Sequence, residues 1–270
     1  MTQGSVVFDQ AVEYYDQTRG FPPGIEPDVA RLFVEAGGLT PHSRLLEVGV
    51  GTGRIALPLA PHVESITGLD LSLPMMLKLV GKRTTEPIRL VQADATQLPF
   101  KSAVFDAVTA VHFFHLVPTW REVLTELKRV LRPGGLLLHG WNHRDADNEL
   151  DAVWKQAVGV SRGGDIGVSF DQGVSFLPEN GWAEVGEERS VAFTTSQSPQ
   201  QYIDALRSRR WSQTWRMSDE QLNKSVGVIE AYISEHYPDP SVPVSFQSVS
   251  YTHLRAHETK ANLVCRLLLE

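Results

Sequence analysis

The chain alternates short apolar runs with longer segments whose apolar residues recur at helical spacing. Residues 45–48, 65–70, 88–93, 105–111 and 136–139 are brief, rich in Leu, Val, Ile and Ala, and bounded by Gly, Pro or Asp. They read as buried strands. Residues 25–36, 73–80 and 119–131 place apolar side chains three and four apart and read as helices. Strands alternating with helices imply a parallel sheet covered on both faces. Ser72 stands where an N-cap belongs. Pro58 is tolerated only near the first turn of its helix and otherwise kinks it. The first forty residues are predicted helical, broken at Pro22-Pro23-Gly24. Beyond Trp141 the pattern predicts helices at 148–160, at 199–210 behind Ser198 and at 219–236 behind Ser218. It also predicts a loop at Gly163, Gly164 and Gly167, a sixth strand at 188–193 and a last strand starting at Val242.

The most informative stretch is Leu-Leu-Glu-Val-Gly-Val-Gly-Thr-Gly at 45–53. An apolar strand end runs into Gly49, Gly51 and Gly53, which let the backbone turn tightly and approach a ligand without a Cβ between them. A helix is expected from Arg54. Strand, glycine turn and helix N-terminus together make a nucleotide cradle. The spacing is G-x-G-x-G, not the G-x-G-x-x-G of dinucleotide enzymes. About twenty residues on, the second strand ends in Asp70, where a carboxylate can accept from ribose hydroxyls. The third strand ends in Asp94-Ala95.

In combination, E-V-G-x-G-T-G, G-L-D-x-S, A-D-A-x-x-L-P-F, F-D-A-V and L-R-P-G-G resemble the class I S-adenosylmethionine-dependent methyltransferases, within them the type 11 methyltransferase domain. The resemblance spans roughly residues 14–140. It implies an α/β Rossmann-like, doubly wound sheet of seven strands, mostly parallel with an antiparallel last strand inserted between the fifth and sixth, plus N-terminal helices and a C-terminal helical cap. It implies S-adenosyl-L-methionine as cofactor. Gly49, Gly51 and Gly53 would pass close to its methionine part. Glu47 would support that loop or meet the cofactor's amino group. Asp70 would hold the ribose diol, with Leu71 beside the adenine. Asp94 would accept from the adenine amino group while the Ala95 amide meets a ring nitrogen. Tyr14, Tyr15 and Arg19 look like the family's N-terminal segment, which folds over the cofactor and whose Arg can meet the methionine carboxylate.

The division expected is an N-terminal helical segment at 1–40, a cofactor-binding core at 41–141, cap helices and remaining strands at 142–248, and a foreign tail at 249–270. That tail resembles the translation of a transposase sequencing adapter, with Lys260 and Ala261 as its index, and is set aside as a fusion scar would be. Cys265, the sole cysteine, goes with it, which leaves no thiol for catalysis or disulfides. The net charge moves from −7 to −8, because three basic and two acidic residues are lost. On this reading the last strand is cut short and the domain destabilised.

At 270 residues the chain is one large domain or a core with a cap. Its acidic balance argues against nucleic acid as a partner, since phosphate contacts need a basic face. Arg207, Arg209 and Arg210 read as a solvated helix face. No run approaches the about 18 apolar residues of a membrane span, and the N-terminus does not open a secretion signal. A cytoplasmic chain with no membrane partner is expected, acting on a small-molecule methyl acceptor, in an oligomeric state the sequence leaves open.

Methyl transfer from a sulfonium needs the acceptor held in line, and some acceptors also need a base. Three histidines near the carboxyl ends of strands four and five are the candidates, His112, His115 and His143, since imidazole titrates near neutrality. A packing role for each is equally open, and His139 within the strand reads as structural. No spacing supports a metal site. Trp211 and Trp215 read as cap packing. Two other readings stay open: a non-catalytic cofactor-binding subunit, and a nicotinamide-dependent oxidoreductase, against which the glycine pattern and Asp94-Ala95 weigh.

Overall fold

The computed structural model describes residues 4–144, 149–159, 167–168, 175–185 and 188–257. A 3-10 turn at Asp9–Ala11 leads to α1 (Tyr15–Arg19) and α2 (Glu26–Gly37). The sheet then begins, with β1 (Arg44–Val48), α3 (Ala56–Leu59), β2 (Ser65–Asp70), α4 (Leu73–Lys82), β3 (Ile88–Gln92), β4 (Phe105–Val111), α5 (Trp120–Val130) and β5 (Leu131–Arg144). After it come α6 (Glu149–Val158), α7 (Phe176–Glu179), β6 (Trp182–Glu184), β7 (Arg189–Gln197), α8 (Pro199–Arg207), α9 (Asp219–His236) and β8 (Val244–His257).

The strand order is β3-β2-β1-β4-β5-β8-β6, with β7 paired to β8. The pairs β1–β2, β1–β4, β2–β3 and β4–β5 are parallel, and β6–β8 is antiparallel. This is the doubly wound sheet that the motifs imply, with the last strand between the fifth and sixth, but with eight strands rather than seven, because β7 adds to β8. The winding reverses between β1 and β4, and ligands of such sheets bind outside the carboxyl ends of the strands at that reversal.

Several boundaries differ from the sequence reading for local reasons. The helix after the glycine turn starts at Ala56, not Arg54, and passes into a 3-10 turn at Ala60–His62. Pro58 sits in its first turn, where a missing N–H costs little. The N-terminal forty residues are less helical than expected. The sixth strand in the sheet path is Trp182–Glu184; the segment predicted for that place, 188–193, falls in β7 and pairs with β8. Arg132-Pro133-Gly134-Gly135 falls at a register shift between β4 and β5, where Phe105 pairs with Leu131 and Ala107 with Leu136. Residues 249–257 continue β8, and Ala256 pairs with Ala183.

The chain divides into two compact units. The first comprises residues 1–141, 167–191 and 250–270. Its core stacks Leu46, Val48, Val108, Ala110 and Leu137 of the sheet against Val123 and Leu127 of α5, with Phe176, Leu177 and Trp182. Asp106 ties the base of the sheet, accepting from the Arg44 N–H and pairing with the Arg132 guanidinium. The second unit comprises 142–166 and 192–249. There α6, α8 and α9 pack through Leu150, Trp154, Tyr202, Leu206, Val226, Ile229 and Ile233. Ser198 and Ser218 each form a full capping box, with Gln201 and Gln221 as reciprocal partners. Among the described residues no helix is long and apolar enough to cross a membrane.

Candidate functional site

The glycine turn is built as its spacing requires. Gly49, Gly51 and Gly53 have φ of 72°, 52° and 80°, a region that costs other residues about 1–2 kcal/mol. A Cβ on Gly49 would stand 2.8 Å from Phe113 Cδ2, so only glycine lets β1 turn against the segment after β4. The Gly49 and Val50 N–H groups donate to the Leu69 carbonyl, which locks the turn to the end of β2. Asp70 completes the lock. Its Oδ2 accepts from the Gly51 N–H and its Oδ1 from the Ser72 N–H, both at 2.8 Å. Burial raises the Asp70 pKa, and the Ser72 and Gly51 donors pull it back down. Ser72 caps α4 as its position predicted, accepting from the Met75 N–H.

These elements line one cleft that opens to solvent. Gly49, Gly51, Asp70, Leu71, Asp94, Ala95 and His112 line it, whereas Glu47 and Gly53, also expected at the cofactor, do not; Gly53 packs against Leu79 and Leu57 instead. The two strand-end carboxylates and the glycine turn therefore share a single cavity. Asp94 is exposed, and its Oδ1 is taken by the Thr96 N–H and hydroxyl. Leu69, Met75, Phe113, Leu116 and Val117 give the cleft an apolar wall.

The N-terminal segment closes one side, and Ser5, Val6, Phe8 and Tyr15 reach the cleft. Polar ties hold it there. The Val6 N–H donates to the Leu116 carbonyl, and Ser72 Oγ donates to Asp9. Asp16 accepts from the Thr52 hydroxyl and pairs with Lys82. Tyr15 rather than Tyr14 lines the cleft. Tyr14 is the residue before α1, and neighbouring helical positions point about 100° apart. Arg19 closes α1 and does not line the cleft. Its carbonyl accepts from Arg54, whose guanidinium also lies 4.7 Å from the centre of the Phe21 ring. Arg54 was not singled out from the sequence as a site residue. The signal available was its place directly after Gly53.

Glu47, on β1 two residues before Gly49, is 3% exposed. Burial pushes its carboxyl up to about 8, with Arg54 acting in the opposite sense and Asp70 in the same sense. Its Oε2 has no hydrogen-bond partner. A buried carboxyl oxygen left open beside the glycine turn fits a ligand that brings a cationic donor. With Asp70 and Asp94 at the strand ends and an apolar slot between them, the donor set fits S-adenosylmethionine: ammonium, ribose diol and adenine.

The histidines separate. His112 lines the cleft in a left-handed backbone conformation (φ 51°), unusual for a residue with a side chain. Burial first, then Arg54, His115, Arg19 and His139, hold its pKa well below the usual value, so its ring is neutral. His115 lies in the 3-10 turn Phe114–Leu116, its ring centre 6.3 Å from that of His112, and does not line the cleft. His143 falls in β5, and its side chain lies outside the described residues. His139 packs against Phe114, Trp141 and Phe176. In the second unit Trp211 packs on Tyr202, and Trp215 donates to the Arg209 carbonyl.

Comparison with known proteins points to the same part of the chain. Residues 46–139 match the model of a methyltransferase domain family. The demethylmenaquinone methyltransferase of Renibacterium salmoninarum is 37% identical over 135 residues, covering 50% of this chain and 56% of that protein. The phosphatidylethanolamine N-methyltransferase of Cereibacter sphaeroides is 42% identical over 96 residues, covering 34% and 47%. The matches thus span about half the length of these curated relatives. The solved structure of the YcgJ protein from Bacillus subtilis superposes with a TM-score of 0.58 at 17% identity, over 86% of this chain and 99% of that one, a likeness of fold. Residues 46–139 are thus the part of the chain that is similar to a methyltransferase domain and to named methyltransferases.

Proposed function

We propose that this protein binds S-adenosylmethionine in the cleft and transfers its methyl group to a small-molecule acceptor. The observation that carries the reading is the convergence of Gly49, Gly51, Asp70 and Asp94 on one cavity, next to a buried, unmatched Glu47. When bound, the cofactor supplies a methyl carbon already activated by positive sulfur. The chain's own residues do the rest. The glycine turn brings bare backbone to the ligand. Glu47 on β1, not itself part of the cleft lining, would accept from the ammonium end, and Asp70, held by two N–H donors, would offer its remaining lone pairs to the ribose diol. Asp94 and the Ala95 N–H read the adenine edge. The wall of Leu69, Leu71, Met75 and Phe113 excludes water, which strengthens each polar contact inside. His112 lines the cleft with a neutral ring, the form able to accept a proton or a hydrogen bond from a methyl acceptor. Its neutral ring serves as a hydrogen-bonding group that orients the acceptor.

The named substrates of the relatives, a demethylmenaquinone and phosphatidylethanolamine, define the acceptors to try first. Calorimetric titration with S-adenosylmethionine should give saturable one-to-one binding, and a nicotinamide dinucleotide should give none. Transfer of labelled methyl from the cofactor to an acceptor panel then tests catalysis. Binding of the dinucleotide in preference to the methyl donor would sink the reading.

A further inference from the structure

Glu47 and Thr109 stand side by side on β1 and β4, directly in register. Paired residues of neighbouring strands point to the same face of a sheet. Thr109 is wholly buried, and its Oγ1, like Glu47 Oε2, has no hydrogen-bond partner. On the other side of Glu47 the register partner is Gly68 of β2, which brings no polar group. A Cβ there would meet Val50 Cγ2 at 2.7 Å, so the position admits no side chain that could help.

The charged groups that act on Glu47 are Arg54, following the glycine turn, and Asp70, at the end of β2. Arg54 is committed elsewhere. It donates to the Arg19 carbonyl, lies by the Phe21 ring, and feels Tyr15 and Asp16 of α1 as well as Glu47. Asp70 adds a like charge. His112, beyond β4, is neutral. An ionised Glu47 would therefore be a buried carboxylate with an open lone-pair site, which is costly unless a cation arrives.

We propose that Glu47 carries a proton in the ligand-free protein and gives it up when the α-ammonium group of S-adenosylmethionine enters, so that cofactor binding releases a proton. The O–H bond of the Glu47 carboxyl breaks and the proton passes to buffer. The carboxylate so formed accepts an N–H from the ammonium. This rests on the functional reading above. Below about pH 8 the free protein holds the proton, so cofactor affinity rises with pH across the neutral range. It levels off once Glu47 is ionised without ligand.

Titration calorimetry at pH 7 in phosphate and in Tris, whose heats of protonation differ, counts the protons exchanged. With S-adenosylmethionine the wild-type chain should release close to one proton, and the dissociation constant should fall by up to about tenfold per pH unit from pH 6 to 7.5. With 5′-methylthioadenosine, which keeps the adenosyl group and lacks the amino acid, binding should be proton-neutral and pH-independent. Glu47→Gln should bind S-adenosylmethionine with no proton release. Buffer-independent heat for S-adenosylmethionine in the wild type overturns the inference and leaves the functional reading standing. So does proton release that persists with 5′-methylthioadenosine or in Glu47→Gln. If neither adenosyl ligand binds, the functional reading falls and the inference with it. The wild-type comparison of the two ligands decides the matter even if Glu47→Gln fails to fold.

Discussion

In the first unit most of the described buried polar side chains lie in the sheet or at its strand ends; in the second they lie at helix ends, between helices and, at Ser248, in a strand. Among the described residues, every buried polar side chain of the second unit has an internal partner. Ser198 accepts from Gln201, Thr214 donates to Trp211, Ser225 to Ala157, and Ser248 meets Thr195. Such groups are consumed by the fold. In the sheet unit Ser72, Thr52 and Asp106 are consumed in the same way. Glu47 and Thr109 are not. A polar atom carried into a core without a partner costs free energy, so the fold alone gives no reason for either to be there. On the function proposed above, Glu47 is the one of these left open for a ligand.

The contrast can be broken by mutation. Ile229→Ala empties a fully buried position of the helical cluster and should cost about 2–5 kcal/mol of stability. Denaturant unfolding measures that loss, and the calorimetric affinity for S-adenosylmethionine should stay unchanged. If affinity falls with stability, the two units do not have separate roles. Asp70→Asn reverses the pattern. Its amide nitrogen would face the Gly51 or Ser72 N–H, donor against donor, and the charge offered to the ribose is lost. Cofactor affinity should fall by about 10- to 100-fold, in line with about 1.5–3 kcal/mol for a hydrogen bond to a charged group. An unchanged dissociation constant would remove Asp70 from the site.

The third test concerns open polar atoms that the comparison must not mistake for a site. Arg255 is 2% exposed, pairs with the half-exposed Glu184 at 2.8 Å, and leaves its Nε without a hydrogen bond; Thr252 Oγ1 is likewise unmatched. Both lie in 249–257, the stretch read as adapter-coded. They are far in sequence from every residue of the cleft. They mark imperfectly matched polar groups where this stretch continues β8. Removing the Arg255 charge strands no buried ion, because Glu184 is half-exposed and is solvated once unpaired, while a buried guanidinium with an open donor is costly. Arg255→Met should therefore raise the unfolding free energy by about 1–2 kcal/mol, and a melting curve measures it. A lower melting temperature would instead mark Arg255 as a native part of the sheet.

Much was legible along the chain because it rests on short-range physics. Three glycines at alternate positions specify a turn through their positive φ, whatever surrounds them. Apolar runs ending in Asp70 and Asp94 specify strands whose last residue is a carboxylate. Ser72, Ser198 and Ser218 announce helix starts because a cap needs only its own next three residues. The boundaries that slipped depend on distant partners. The segment at 188–193 reads as a strand by itself, but its partner is β8, more than fifty residues later.

The sequence by itself determined the alternation of strands and helices, the glycine turn and the two acidic strand ends, since each is set by residues within a few positions of one another. Only the tertiary structure decided that Asp70 and Asp94 open into one cleft, that Tyr15 rather than Tyr14 reaches it, that Arg54 is engaged by the N-terminal segment, and that Glu47 lies beside Thr109 without a partner. Those facts depend on strand order and register. Both are set by burial across the whole sheet, and no local stretch of residues encodes it.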